Sequence, residues 1–293
     1  MIEFDEISSP VEQIHDDLFD AKGLKVFIKR DDMIHTFISG NKWRKLKYVL
    51  CDARQNGRNH LVTFGGAFSN HVIATAAAAA KFGFTSTGFV RGEEVTNDTL
   101  FLCRLHGMQL IFTDRESYRD KPALFEKHFG GDSKAYFIDE GGASALGARG
   151  CAEMVAEFPN VYDHIFCAAG TGTTAAGILN GLKDLPTQIH VVSALKGGEF
   201  LKDDIDGYLE GKYRYELHTD YHFGGYAKTT LELTDFIKSF IERTGILIEP
   251  VYTGKMMYAF YDMVKRDTFA PESSILAIHT GGLIGLLGMR DKF

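Results

Sequence analysis

Short apolar runs alternate with stretches of helical periodicity along almost the whole chain, and most joints between them carry glycine or asparagine. This alternation constrains the fold more than any other feature, because strand, turn and helix in repeating order build an open, mostly parallel sheet covered by helices on both faces. The candidate strands are "KVFIKR" (25–30), "HLVTFG" (60–65), "FTSTGFV" (84–90), "MQLIFT" (108–113), "KAYFID" (134–139), "YDHIFCAAG" (162–170), "QIHVVSAL" (188–195), "RYELH" (214–218) and "SILAIHTGG" (274–282). Helices are predicted from residue 41, over 70–82, from near Asn97, over 143–158, and over about 175–182, 228–243 and 255–266. Pro159 and Asn160 end the fourth of these, and the break at 157–161 is a candidate domain crossing. The glycine-rich joints are spread over both halves, which favours a two-domain α/β protein with a cleft over a single dinucleotide-binding unit.

With 32 basic against 39 acidic side chains and a net charge of -7, the chain has no basic stripe for nucleic acid, so a small-molecule partner is the expectation. The alanine run at 76–80 is too short to cross a bilayer, and the acidic opening "MIEFDEISSPVEQIHDD" has no apolar leader run, so no membrane partner and a cytoplasmic location are expected. Cys51, Cys103, Cys151 and Cys167 are scattered without a CxxC pair, so neither metal nor disulfide is expected, and most should be reduced, buried side chains.

The segment "SGNKWRKLKYVL" (39–50) places Trp43, Leu46, Val49 and Leu50 on one helical face, with Ser39 or Asn41 as candidate cap. Lys42 then falls in the first turn, where free N–H groups and the helix dipole disfavour a cation. Lys45 and Lys47 read as solvated side chains, and Lys42 admits that reading too. The alternative is a cleft lysine held as the neutral amine, the form that condenses with a carbonyl.

"AAGTGTTAAG" (168–177) combines Gly170 and Gly172 with Thr171, Thr173 and Thr174 ahead of a helix start, so it can hold a phosphate without lysine or metal, or serve only as a structural turn. It lacks the Gly-Lys-Ser/Thr ending of a nucleotide loop. Its looser dinucleotide pattern has no acidic residue at the end of the next strand. A phosphorylated cofactor other than ATP or NAD is the better expectation. "GGAFSNH" (65–71) opens the backbone at Gly65 and Gly66 before Ser69 and Asn70, each either an N-cap or a donor to a flat ligand or carboxylate, with His71 a polar first-turn residue.

Taken in order, "GNKWRKLKY", "GGAFSNH", "AAGTGTTAAG", "EPVYTGKMM" (249–257) and "HTGG" (279–282) resemble the pyridoxal-phosphate-dependent family of 1-aminocyclopropane-1-carboxylate deaminase and D-cysteine desulfhydrase, from about residue 24 to the last. The resemblance implies a tryptophan synthase β-like fold of type II: two open, mostly parallel twisted sheets with flanking helices and pyridoxal 5'-phosphate in the interdomain cleft. The smaller domain is expected over 50–157 and the larger over 1–49 and 158–293. It implies that Lys42 bonds covalently to the cofactor, that Asn70 meets the cofactor's 3'-oxygen, that Gly170, Thr171, Gly172, Thr173 and Thr174 form the phosphate cradle, and that Thr280 lies near the pyridine nitrogen. It further implies that Ser69 approaches the substrate carboxylate or reactive carbon, that Tyr226 and Tyr252 are the active-site tyrosines, and that the enzyme is a homodimer. Without it, each tyrosine reads equally as a core or interface residue, Glu249 as a helix-side charge and Lys255 as a solvated one.

Where the deaminase branch carries glutamate after the tyrosine of the C-terminal motif, this chain has Thr253, as desulfhydrase-like members do. A neutral partner stabilises a protonated pyridine less than a carboxylate does, which weakens the electron sink. The expected reaction is therefore β-elimination from a small amino acid such as D-cysteine, giving pyruvate and ammonia. The alternatives are 1-aminocyclopropane-1-carboxylate deamination to 2-oxobutanoate and ammonia, or a catalytically silent cofactor-binding module.

Overall fold

The computed structural model describes residues 7–183 and 185–293; the first six residues of the acidic opening lie outside the described residues. The strands are β1 (Val11–Ile14), β2 (Lys25–Lys29), β3 (His60–Gly66), β4 (Thr85–Arg91), β5 (Gln109–Thr113), β6 (Ala135–Ile138), β7 (His164–Ala169), β8 (Gln188–Ser193), β9 (Tyr215–His218) and β10 (Ser274–Ile278). They form a six-stranded sheet in the order β1-β2-β10-β7-β8-β9 and a four-stranded sheet in the order β5-β4-β3-β6. Every pairing is parallel except β1 with β2. The chain thus leaves the large sheet after β2, builds the small one from β3 to β6, and returns at β7.

Each sheet is buried on both faces, as parallel strands require. In the large sheet Val26 and Ile28 join the core packed by Phe260 and Met256, while the intervening Phe27 packs against the opposite core around Ile165 and Leu276. In the small sheet Leu61 faces Trp43 and Ala78, while Val62 and Phe64 face Phe89 and Tyr118.

Local chemistry sets most helix ends. Asn70–Phe82 starts where Ser69 Oγ accepts the amides of His71 and Val72 and stops at Gly83, which takes the left-handed conformation with φ 68°. Its alanines, buried between neighbours, let it lie close to the sheet. Asn41–Gln55 starts at residue 41 as expected, but neither Ser39 nor Asn41 caps it; Gly40 holds that place with φ 60°. The helix predicted over 143–158 is shorter. It spans Ala145–Ala152 and tightens into a 3-10 turn, Glu153–Glu157, before Phe158 turns extended. Glu157 is held there by Arg44 (2.7 and 2.9 Å) and Lys29 (2.5 Å), and Arg44 also grips Asp31 at 2.6 and 2.8 Å. β1 and the helices Asp17–Lys22, Lys121–Phe129 and Leu201–Asp206 have no counterpart in the sequence reading. Cys103, Cys151 and Cys167 are buried and Cys51 half-buried, all four free. No helix of the described residues is long and apolar enough to cross a membrane.

Candidate active site

The loops after β2, β3, β7 and β10 converge where strand carboxyl ends feed helix N-termini, the usual place for a site in an open α/β sheet. Gly40 seats the first helix: a Cβ there would lie 1.9 Å from the Thr280 carbonyl oxygen, and the Asn41 amide donates to that oxygen at 3.3 Å. Asn41 Nδ2 donates to Thr174 Oγ1 at 2.9 Å, joining the lysine segment to the helix Thr173–Leu182. Lys42 Nζ donates to Asn41 Oδ1 at 3.0 Å. Burial, then the charge of Lys45, pushes the Lys42 ammonium down to about 7. Lys42 is half-buried, and desolvation outweighs the basic neighbours invoked from sequence.

Lys45 is not solvated. It is buried, and its Nζ donates to the Gly141 carbonyl at 3.1 Å and reaches Thr171 Oγ1 at 3.4 Å. A second lysine amine, its pKa lowered by burial, therefore stands at the glycine–threonine loop, a feature the sequence reading missed. Gly170 must be glycine because a Cβ would come 2.8 Å from Tyr252 Cε1, and Gly172 sits at φ 68° directly before the helix. Thr171 Oγ1 and Thr173 Oγ1 lie 3.1 Å apart, and Thr173 and Thr174 are buried.

Ser69 caps its helix through long contacts, 3.3 Å to the His71 amide and 3.4 Å to that of Val72, and its hydroxyl proton remains available to donate. Asn70 lies under the "HTGG" loop, where Gly282 has φ 86° and a Cβ would meet Asn70 Nδ2 at 2.4 Å. His71 is buried rather than a polar first-turn residue. Its Nε2 is 2.9 Å from Thr63 Oγ1, its Nδ1 has no protein partner, and burial with Lys42 and Lys45 holds it well below its ordinary pKa.

The rings of Tyr226 and Tyr252 are 6.1 Å apart, edge to face, so the structure brings the two tyrosines together. Burial, then Tyr226 and Glu249, raises the Tyr252 phenol well above its ordinary value. Tyr252 is thus a proton donor, not a phenolate. Glu249 is buried and accepts the amides of Val251 at 2.6 Å, Tyr252 at 2.9 Å and Thr253 at 2.6 Å, capping Thr253–Lys265. Lys255 is also buried, donating to Ala194 O at 3.2 Å and to Gly225 O at 2.7 Å, which ties the Tyr226 loop to the end of β8. Thr280 is buried behind Gly40, and Thr253 Oγ1 is buried without a protein partner.

These features suit a flat phosphorylated aldehyde. The Lys42 amine is brought down to about 7, the glycine loop, helix start and Lys45 offer donors to an anion, and the unpartnered His71 Nδ1 and Thr253 Oγ1 leave polar capacity for a bound group.

The family profile described as pyridoxal-phosphate dependent enzyme matches residues 5–281. A Pyrococcus horikoshii protein provisionally named 1-aminocyclopropane-1-carboxylate deaminase is 35% identical over 291 residues, covering 92% of this chain and 88% of its own. The bifunctional D-cysteine desulfhydrase/1-aminocyclopropane-1-carboxylate deaminase of Arabidopsis thaliana is 32% identical, covering 92% of this chain and 75% of that protein. The crystal structure of an ACC deaminase homologue superposes with a TM-score of 0.90 at 31% identity, over 99% of this chain and 94% of that one. Similarity along nearly the whole length, in sequence and in fold, leads to one conclusion: the chain belongs to the pyridoxal-phosphate-dependent enzymes of fold type II, among the relatives of 1-aminocyclopropane-1-carboxylate deaminase and D-cysteine desulfhydrase.

Proposed function

We propose that this lyase deaminates 1-aminocyclopropane-1-carboxylate to 2-oxobutanoate and ammonia. The observation that carries deaminase chemistry is the Lys42 amine, brought down to about 7 and linked through Asn41 to the phosphate cradle. The choice of substrate rests on the names of the similar proteins, which favour the cyclopropane over the D-cysteine reaction expected from sequence. The β-elimination of D-cysteine keeps one specific support. The Glu249 carboxylate is engaged by three amides, so Thr253 and Thr280 offer only neutral hydroxyls to a ring nitrogen.

When bound, pyridoxal 5'-phosphate supplies an aldehyde for the substrate amine and an electron-poor ring that stabilises negative charge at the substrate α-carbon. Gly170 to Thr174 and Lys45 would hold its phosphate, and Asn70 and Thr280 would face its ring. Lys42 Nζ, neutral above pH of about 7, takes a proton from the substrate. Tyr252, held protonated by burial, donates one, and Tyr226 beside it orients the substrate with Ser69. The division of strands between the two sheets supports domains at 50–157 and at 1–49 with 158–293, and we read the site as lying in the cleft between them.

The test is product release from the cofactor-loaded enzyme across 1-aminocyclopropane-1-carboxylate, D-cysteine and other small D- and L-amino acids. 2-Oxobutanoate from the cyclopropane substrate is the expected result. Pyruvate from D-cysteine alone would restore the elimination reading, and cofactor binding without any product would make the protein a silent module.

A further inference from the structure

Away from the cofactor site, three neighbouring strands of the large sheet bring histidines into a line. His164 lies on β7, His190 on β8 and His218 on β9, with Glu216 the direct cross-strand partner of His190. His190 Nδ1 and His218 Nε2 are 3.1 Å apart, and Glu216 Oε2 lies 3.4 Å from the first and 3.7 Å from the second. A single proton can join the two nitrogens but leaves the carboxylate at distances beyond the roughly 2.7–2.9 Å of a charge-assisted hydrogen bond. The point equidistant from three atoms so spaced is about 2.0 Å from each, the bond length zinc keeps to imidazole nitrogen and carboxylate oxygen.

We propose that His190, Glu216 and His218 form a binding site for a divalent transition-metal ion of the zinc class. The surroundings match what such a site needs. His190 Nε2 lies 3.1 Å from His164 Nδ1, so the ring nitrogen turned away from the ion has the outer-shell partner that orients a metal ligand. Phe166 stacks on His190 with centroids 4.4 Å apart and Phe269 meets it edge-on, fixing the ring. The Glu216 side chain is 55% exposed, which gives the ion a path from solvent and leaves room for water as a fourth ligand. Two imidazoles and one carboxylate select a borderline ion over magnesium or calcium.

The position assigns the ion a structural role. β9 is the edge strand, held only by β8, and it runs directly into the segment that carries Tyr226. An ion shared by β8 and β9 staples the root of that segment to the sheet. The sequence expectation of no metal rests on the scatter of the cysteines alone, whereas these ligands are histidines and a glutamate from neighbouring strands, His190 and His218 lying 28 residues apart and meeting through sheet pairing.

The test uses tag-free holoenzyme, stripped with a chelator and titrated with zinc chloride by calorimetry, with cobalt(II) absorbance as a second readout. One zinc per chain, a higher Tm and a visible cobalt band typical of low coordination number are expected. Glu216→Gln keeps the shape of an exposed side chain and should weaken zinc by at least tenfold without changing the Tm of the stripped protein. His218→Asn should weaken it further, and His164→Phe, which removes only the outer-shell partner, by roughly 10–100-fold. Absence of stoichiometric uptake, or uptake of equal affinity in both Glu216→Gln and His218→Asn, overturns the site.

Discussion

In the proposed function Tyr252 and Lys42 divide acid and base between them, because burial acts on them in opposite senses. Desolvation keeps the phenol protonated and drives the amine toward neutrality. Tyr252→Phe should retain the cofactor and slow turnover by roughly 10²-fold or more, as lost proton donation does. Tyr226→Phe should raise KM at least as much as it lowers kcat, since Tyr226 is the more exposed ring of the pair, at 42%, and is read as orienting the substrate. Wild-type turnover in Tyr252→Phe would remove it from the catalytic set. The sign for Lys42 follows from its depressed pKa: the amine is protonated below about 7 and neutral above. Competitive acylation of the apoprotein should therefore label Lys42 half-maximally near pH 7, not above pH 10 as a free lysine does. By linkage, the unfolded chain binds the extra proton between about pH 7 and about 10.4, so this group's contribution to apoprotein stability rises across that window. Lys42, Ser69, Asn70 and the threonine loop are legible in sequence because each sits within a local run of glycine and polar residues at a strand–helix joint. Lys45, His71 and Lys255 are not. Their burial is set by what packs on them from distant segments, Gly141 and Thr171 on Lys45 and Ala194 and Gly225 on Lys255.

The element that joins binding to fold is the loop from β7 into Thr173–Leu182. Gly172 stands there at φ 68°, and a Cβ on it would come 2.6 Å from Ile205 Cγ1, so any side chain strains both backbone and packing. Gly172→Ala carries that strain alone, whereas Gly172→Asp adds a carboxylate to the phosphate cradle. Both should lower the Tm of the apoprotein similarly, and the aspartate should cost a further factor of ten or more in cofactor affinity, about the loss of one charge-assisted bond of roughly 1.5–3 kcal/mol. Equal cofactor affinity in the two variants would mean that the phosphate binds elsewhere. Strand cores and the helix Asn70–Phe82 follow from apolar runs and local caps. The helix over 143–158 fails as a sequence expectation because its last turn is reshaped by Arg44 and Lys29, residues more than 100 positions away that hold Glu157. The helix Leu201–Asp206, with only Leu201 and Ile205 buried, is too short to leave a periodic signal.

At the scale of the molecule, the small sheet is inserted between β2 and β7 of the large one, so both sheets contribute to the candidate site: Asn70 follows β3 of the small one, the glycine–threonine loop and Thr280 follow β7 and β10 of the large one, and Lys42 lies on the helix between β2 and β3. We read the enzyme as a homodimer. Phe68 and Leu287, 51% and 53% exposed, leave apolar surface near the "HTGG" end of the chain for a second copy. Light scattering should give twice the chain mass, and a monomer mass independent of concentration would overturn the dimer. In the proposed function Lys42 is the one lysine that meets the cofactor. The direct measurement is borohydride reduction of the cofactor-loaded protein followed by peptide mass spectrometry. A single pyridoxyl group on Lys42, with loss of the bound chromophore and no labelling in Lys42→Ala, is the predicted result; a pyridoxyl group on Lys45 or Lys255 instead, or none after cofactor addition, would contradict it.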